Sequence, residues 1–145
     1  MNATLEKFGD PETRLWRGEH WTVLLRPAQL TLGSLVLGAN GEQRAFGELS
    51  PSAFAELGTT IARIERVLSA RFGYQRINYL MLMMVDPHVH FHVIPRYDGV
   101  RAFEGLDCED RAWPGPPNLA ESIELGAPRQ AALLERLRLD FAEAG

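Results

Sequence analysis

Three histidines alternate with apolar residues in the stretch Pro87-His88-Val89-His90-Phe91-His92-Val93-Ile94-Pro95-Arg96. Alternate side chains of a β-strand face the same side, so the three imidazoles are predicted to line one face while the residues between them pack into a core. Same-face neighbours are about 6.6 Å apart, from a rise of ~3.3 Å per residue. Such a row predicts a site that works on a phosphate or binds a metal.

The composition indicates a soluble globular protein, because 46% of the 145 residues are hydrophobic and 23% are charged. The length predicts one domain over residues 1–145. A net charge of −4 argues against nucleic acid or an anionic membrane as the main partner. The single cysteine, Cys108, and the lack of a signal-peptide pattern predict a cytoplasmic protein.

Short strands are predicted before the first long helix. Leu15-Trp16 and Trp21 to Leu25 are predicted to form a hairpin, after a loose or helical segment over residues 1–14. A third strand is predicted from Leu32 to Leu37, and a turn over Gly38-Ala39-Asn40-Gly41.

A long amphipathic helix is predicted from Ser50 and Pro51, which suit the N-cap and the first helical position, to Gly73, which suits the C-terminal stop. Its apolar residues recur every three or four positions and are expected to face the core: Phe54, Leu57, Ile61, Ile64, Leu68 and Phe72.

The second half of the chain completes the predicted sheet. Ile77 to Val85 is almost wholly apolar, which predicts a central strand covered on both faces, and His88 to Ile94 is its predicted neighbour. Residues 99–118 are predicted to be irregular, and a C-terminal helix to span about 128–142. The fold class is therefore α+β, with an antiparallel sheet of about five strands, one main helix and a C-terminal helix. The domain core is expected over about residues 15–118.

The chemistry of imidazole favours covalent catalysis on a phosphate ester. A neutral imidazole is a good nucleophile and a competent leaving group once bonded to phosphorus. Neighbouring imidazoles and a sheltered site disfavour protonation, and neighbours can donate hydrogen bonds to phosphate oxygens. His90 has a partner on each side, which makes it the predicted nucleophile, supported by His88 and His92. A zinc site on the three imidazoles, or a purely structural row, are the alternatives that the residues leave open.

The stretch His88 to Ile94 resembles the His-Φ-His-Φ-His-Φ-Φ signature of the histidine triad (HIT) superfamily, where Φ is an apolar residue. Trp113-Pro114-Gly115-Pro116-Pro117 is similar to an element that some bacterial members carry after the triad, and the resemblance spans roughly residues 15–118. It implies an antiparallel five-stranded sheet and a homodimer. It also implies a hydrolase or transferase acting on the α-phosphate of a nucleotide or dinucleotide. The intermediate would be a nucleotidyl group on His90, and the chemical step would need no metal.

The chain departs from that family at positions expected to support the substrate. Ser34 stands where many members have a further histidine behind the triad, and Arg26 where several hold the ribose with Asn. Met83 and Met84 occupy a region that often carries Asn or Gln. These departures motivate the alternative of a non-catalytic nucleotide-binding or regulatory protein.

Further residues are candidates for contact with the substrate. Arg96 and Arg26 offer guanidinium groups that pair with phosphate, or else form surface ion pairs. Asn78 is expected to bond a ligand or to cap the strand edge, and Trp113 to stack on a base or to pack against the sheet. Ser34 completes this set of five predicted binding residues.

Overall fold

The computed structural model of the protein describes residues 2–144. Within them, three α-helices and seven β-strands follow one another along the chain: α1 (Ala3–Lys7), β1 (Arg14–Arg17), β2 (Trp21–Leu25), β3 (Leu35–Ala39), α2 (Pro51–Phe72), β4 (Arg76–Leu80), β5 (His90–Arg96), β6 (Val100–Phe103), β7 (Leu106–Glu109) and α3 (Ala127–Glu143). Each helix among residues 2–144 is too short or too polar to cross a lipid bilayer.

The central sheet has the strand order β1-β2-β3-β5-β4, and every neighbouring pair is antiparallel. This confirms the predicted α+β class with a five-stranded antiparallel sheet, a main helix and a C-terminal helix. Strand β5 lies between β3 and β4, and its His92 pairs with Val36 on one side and Leu80 on the other. The predicted domain limits stay a prediction.

Helices cover both faces of the sheet. On one face, a large apolar core joins the sheet to α2 and α3, with side chains such as Val23, Leu68 and Leu133 fully buried. On the opposite face, Leu5 of α1 lies in a small apolar cluster with Leu24 and Val36. Because Val36 pairs with His92, this second face is also the face of the histidines.

The main helix begins and ends as predicted. The Ser50 side chain accepts a hydrogen bond from Ala53 N, Pro51 opens the helix, and Gly73 closes it in the left-handed conformation at φ 56°. The prediction that Phe54 faces the core is wrong, because its side chain is 41% exposed and packs on the ring of Phe46. In the first turn of the helix Ala53 is buried instead, and its carbonyl accepts a hydrogen bond from the Trp21 indole N–H.

The predicted strand from Ile77 to Val85 is too long and wrongly placed. Strand β4 ends at Leu80 and forms an edge of the sheet. Beyond it the backbone of Met83 has a positive φ of 50°, and Met84 and Val85 are 85% and 82% exposed. An unbroken apolar run carries no alternation, so the sequence did not reveal which of its residues leave the sheet.

Other boundaries also differ from the predictions. Strand β3 starts at Leu35 and includes Gly38 and Ala39, which were predicted to turn. A side chain on Gly38 would collide with Leu5, so glycine here lets α1 approach the sheet. Strand β5 begins at His90, so His88 lies just before it.

Residues 99–118 were predicted to be irregular, but they contain the antiparallel hairpin of β6 and β7. The chain reverses at Glu104 and Gly105, with φ values of 48° and 77°. Two successive residues with positive φ form the tight turn whose twist suits a hairpin. Glu104-Gly105 was the available sequence signal, but the flanking strands have only four residues each, too few to show a clear alternation.

Candidate active site

The three histidines lie together beneath the surface of the α1 face. His88, His90 and His92 are only 7%, 2% and 7% exposed. The rings of His90 and His92 stand 5.2 Å apart, edge to face at 81°. These two alternate along β5 and share one face of the sheet, whereas His88 reaches the site from the turn before the strand.

The proton on the His90 ring is fixed by the backbone. Nδ1 of His90 lies 2.7 Å from the carbonyl oxygen of His88. A carbonyl oxygen can only accept a hydrogen bond, so Nδ1 is the donor and carries the proton. In the neutral ring the lone pair is therefore on Nε2, which leaves that nitrogen able to act as a nucleophile or a ligand.

His92 has the opposite arrangement. Nε of Arg26 donates to Nδ1 of His92 at 3.3 Å, although 66 positions separate the two residues. A guanidinium cannot accept, so Nδ1 holds the lone pair and Nε2 carries the proton. Burial lowers the pKa of His92 to about 4, assisted by the charge of Arg26 and by the neighbouring imidazole of His90.

The first histidine is held by α1. Nδ1 of His88 lies 2.9 Å from Oγ1 of Thr4, and the backbone N–H of His88 donates to the same oxygen at 3.4 Å. The helix is anchored in turn by Asn2, whose side chain accepts from Leu5 N and donates to the carbonyl of Ala39 at 2.9 Å. Thr4 thus connects the start of the chain to the histidine row.

Helix α1 also closes the site. The Phe8 ring, just past its end, lies 5.9 Å from the ring of His90 and 5.6 Å from that of His92. Lys7 forms a salt bridge of 2.8 Å with Asp86, in the turn before the histidines. Residues 1–14 were predicted only as a loose or helical lead-in, and these contacts were not foreseen. The signal was local: Asn2 is a favoured N-cap, and Leu5 and Phe8 lie on one side of a helix.

Across residues 2–144, no three His, Cys, Asp or Glu side chains are grouped so as to hold a metal ion.

Known proteins of similar structure share this fold. A histidine triad protein from Marinobacter aquaeolei VT8 superposes with a TM-score of 0.74 at 21% identity, covering 97% of this chain and 96% of that one. This chain has the histidine triad fold. A histidine triad protein from Sinorhizobium meliloti 1021 gives 0.73 at 20% identity, covering 97% and 95%. The Plasmodium falciparum diadenosine triphosphate hydrolase gives 0.61 at 11% identity, covering 92% and 77%. No family model matches the sequence, and no curated protein matches it significantly.

Within this histidine triad fold, three of the predicted binding residues gather away from the histidines. Asn78, Arg96 and Trp113 line a cleft of about 650 Å³ beside the edge strand β4. Arg96 is six positions beyond His90 on the same strand, or about 20 Å at ~3.3 Å per residue. A phosphate bonded to His90 is therefore out of reach of its guanidinium.

Four of the five N–H donors of the Arg96 side chain are engaged in hydrogen bonds within the protein. Its Nε and Nη2 donate to the Asp110 carboxylate at 2.6 and 3.1 Å, Nη1 donates to Asn78 Oδ1 at 2.9 Å, and Nη2 donates to the carbonyl of Gly115 at 2.8 Å. The pair is buried, with side-chain exposures of 5% and 3%. This arrangement fixes the loop of Trp113 to the end of the histidine strand. Asp110 was not singled out in the sequence.

Ser34 and Arg26 lie on the other side of β5. Ser34 is fully buried, and its Oγ donates to the carbonyl of Thr31 at 2.8 Å and accepts from Thr31 N at 3.1 Å. Its hydroxyl thus stabilises the turn before β3. Arg26, by contrast, reaches the histidine row directly through His92.

Proposed function

We propose that the protein is a nucleotide hydrolase or transferase that acts through a covalent nucleotidyl group on His90. The observation that carries this proposal is the 2.7 Å hydrogen bond from His90 Nδ1 to the carbonyl of His88. It leaves the lone pair of the neutral imidazole on Nε2. A nucleophile needs a free lone pair held in a fixed direction, and this contact provides both.

The reaction proceeds in two displacements. Nε2 of His90 attacks the α-phosphorus, and the bond from phosphorus to the leaving group breaks. The leaving group departs with the bonding electron pair and takes up a proton. In the second displacement, water or another acceptor attacks phosphorus, the P–N bond breaks, and the acceptor loses a proton. Nε2–H of His92 is the donor available to a phosphate oxygen in both steps.

The electrostatics of the site favour an anionic ligand. Arg26 is 9% exposed beside His92, and within residues 2–144 no carboxylate forms a salt bridge with it. A buried cation without an anionic partner is costly, and a phosphate group would supply that partner. The name of the Plasmodium falciparum protein of the same fold, a diadenosine triphosphate hydrolase, supports a dinucleotide as one substrate class.

Access to His90 requires α1 to move. His90 is 2% exposed, and the Phe8 ring lies against it and against His92. A substrate must displace Phe8 before phosphorus can approach Nε2. The contacts of Asn2, Thr4 and Leu5 that hold α1 near the row are buried, but the Lys7–Asp86 salt bridge is partly exposed, and such pairs contribute only about 0–1 kcal/mol.

The same closure supports a second candidate function. If the imidazoles stay buried when a nucleotide binds, phosphorus does not reach Nε2 of His90 and the nucleotide is not turned over. The protein would then act as a nucleotide-binding or regulatory protein. The homodimer and the cytoplasmic location also stay predictions. Light scattering at micromolar concentration tests the dimer, and a mass of one chain would contradict it.

The experiment is a search for the intermediate. The protein is mixed with adenosine and guanosine nucleotides, including dinucleoside polyphosphates and phosphoramidates, quenched without acid, and analysed by intact mass spectrometry. We expect a nucleotidyl adduct on the natural protein that is absent from His90→Ala. The His20→Ala variant, which alters a histidine in the hairpin of β1 and β2, is the matched control and should keep the adduct. Binding without adduct or turnover would favour the second candidate.

A further inference from the structure

Arg26 is held rigidly at the end of β2. Its backbone N–H donates to the carbonyl of Ser34 at 3.0 Å, and its own carbonyl accepts from the Gln29 side chain at 2.7 Å. Its Nη1 donates to the carbonyl of Ala28 at 2.6 Å. The guanidinium therefore has a fixed position, and little conformational entropy remains to be lost when it acts on a neighbour.

One of its donors is directed at His92. The Nε–H group meets Nδ1 of the imidazole at 3.3 Å, with Arg26 and His92 both below 10% exposure. A guanidinium has donors only, so this contact is satisfied only when His92 Nδ1 is unprotonated. A doubly protonated His92 would direct an N–H at an N–H and would place two positive charges side by side.

We infer that Arg26 is a positioning residue that holds His92 as the neutral tautomer with its proton on Nε2. This inference rests on the proposed function. It assigns His92 as a hydrogen-bond donor to the phosphate and prevents it from competing with His90 as a nucleophile. The two neighbouring imidazoles then have opposite tautomers, one imposed by the carbonyl of His88 and the other by Arg26.

The surroundings of His92 agree with this assignment. The groups that face it are the guanidinium of Arg26, the imidazole of His90, the aromatic ring of Phe8 and, at longer range, the carboxylate of Asp86. Burial, Arg26 and His90 lower the pKa of His92, while Asp86 raises it. Without Arg26, burial would still lower the pKa of His92, but the total lowering would be smaller because the repulsion from the guanidinium is lost.

Nitrogen-15 NMR of the imidazoles tests the tautomer without any substrate. Histidine is labelled with nitrogen-15, and His92→Gln assigns the signals of His92 by their loss. At pH 7 we expect His92 to carry its proton on Nε2 and to stay neutral as the pH falls to about 5. In Arg26→Met we expect a mixture of tautomers and protonation at higher pH. The matched control is Arg129→Met, a half-buried arginine whose guanidinium donates to the backbone carbonyls of Glu104 and Leu125, and it should leave the signals unchanged.

Kinetics provide the second readout. With the substrate found in the adduct experiment, Arg26→Met is expected to lower kcat by about tenfold to a hundredfold, as loss of an orienting partner of an imidazole does. The acid limb of its pH profile should move to higher pH. Arg26→Lys keeps the positive charge but loses the planar group that reaches both His92 and Ala28. Its pH profile should therefore lie close to that of the natural protein, while its kcat should stay lower.

The outcomes separate this inference from the proposed function. A proton on Nδ1 of His92 in the natural protein would overturn the inference even if the enzyme is active. The inference would also be overturned if the His92 signals of a folded Arg26→Met protein were the same as those of the natural protein. If Arg26→Met does not fold, the natural protein and Arg26→Lys still decide, because the tautomer is read directly. An inactive protein with the expected tautomer would contradict the proposed function alone.

Discussion

Thr4 Oγ1 lies 2.9 Å from Nδ1 of His88, although 84 positions separate the two residues along the chain. This contact joins the first helix to the first histidine of the row. It also makes α1 part of the site, because Thr4, Lys7 and Phe8 each contact the histidines or the turn before them.

Replacement of Thr4 by Val tests this contact. Valine keeps the shape but removes the hydroxyl group, so the buried Nδ1 and backbone N–H of His88 lose a partner. We expect the free energy of unfolding to fall by about 1–3 kcal/mol, as measured by urea denaturation. Thr59→Val, at an exposed position of α2, should change it by less than about 0.5 kcal/mol. Equal losses in both variants would show that the contact with His88 contributes little.

A covalent bond between Lys7 and Asp86 should block the site. Lys7 is the only lysine of the sequence, and its Nζ is 2.8 Å from the Asp86 carboxylate. A zero-length carbodiimide can therefore condense the two into an amide, which peptide mass spectrometry identifies. Because α1 can then no longer move away from His90, we expect the linked fraction to form no nucleotidyl adduct.

The matched control for this linkage is Lys7→Arg, which keeps the positive charge but gives no amide with the reagent. It should retain adduct formation after the same treatment. Full activity of the linked natural protein would mean that the substrate reaches His90 without movement of α1.

The buried salt bridge between Arg96 and Asp110 should stabilise the folded protein. Asp110→Ala leaves a buried guanidinium without its carboxylate, which costs about 3–5 kcal/mol of unfolding free energy. Asp140→Ala breaks the more exposed pairs with Arg71 and Arg136, each of which should cost only about 0–1 kcal/mol. Denaturant midpoints compare the two variants. A similar cost for both would contradict a structural role for the buried pair.

Acid should destabilise the protein through His92. Its pKa is about 4 in the folded protein against an ordinary value of 6.5, so the unfolded chain binds more protons between these values. Stability therefore falls as the pH drops from about 6.5 to about 4, and this loss is absent above that range. His92→Gln should flatten this part of the pH dependence of urea midpoints, whereas His20→Gln should keep it. Parallel curves for His92→Gln and the natural protein would contradict the lowered pKa.

The tautomers of the triad illustrate what a sequence can predict. The alternation of histidine with apolar residues placed His90 and His92 on one strand face, because side-chain direction in a strand depends only on position parity. It did not indicate which nitrogen carries the proton. That depends on partners such as Arg26, which approaches His92 from the end of a different strand.

The sequence by itself determined the bounds of the main helix. Ser50 and Gly73 delimit the main helix because capping is a contact among neighbours in the chain. Only the tertiary structure decided that α1 covers the histidines, that Arg26 reaches His92, and that Arg96 forms a buried salt bridge with Asp110. The reason is physical. These contacts depend on which strands are neighbours and on which face of the sheet each helix packs, and no local periodicity encodes either.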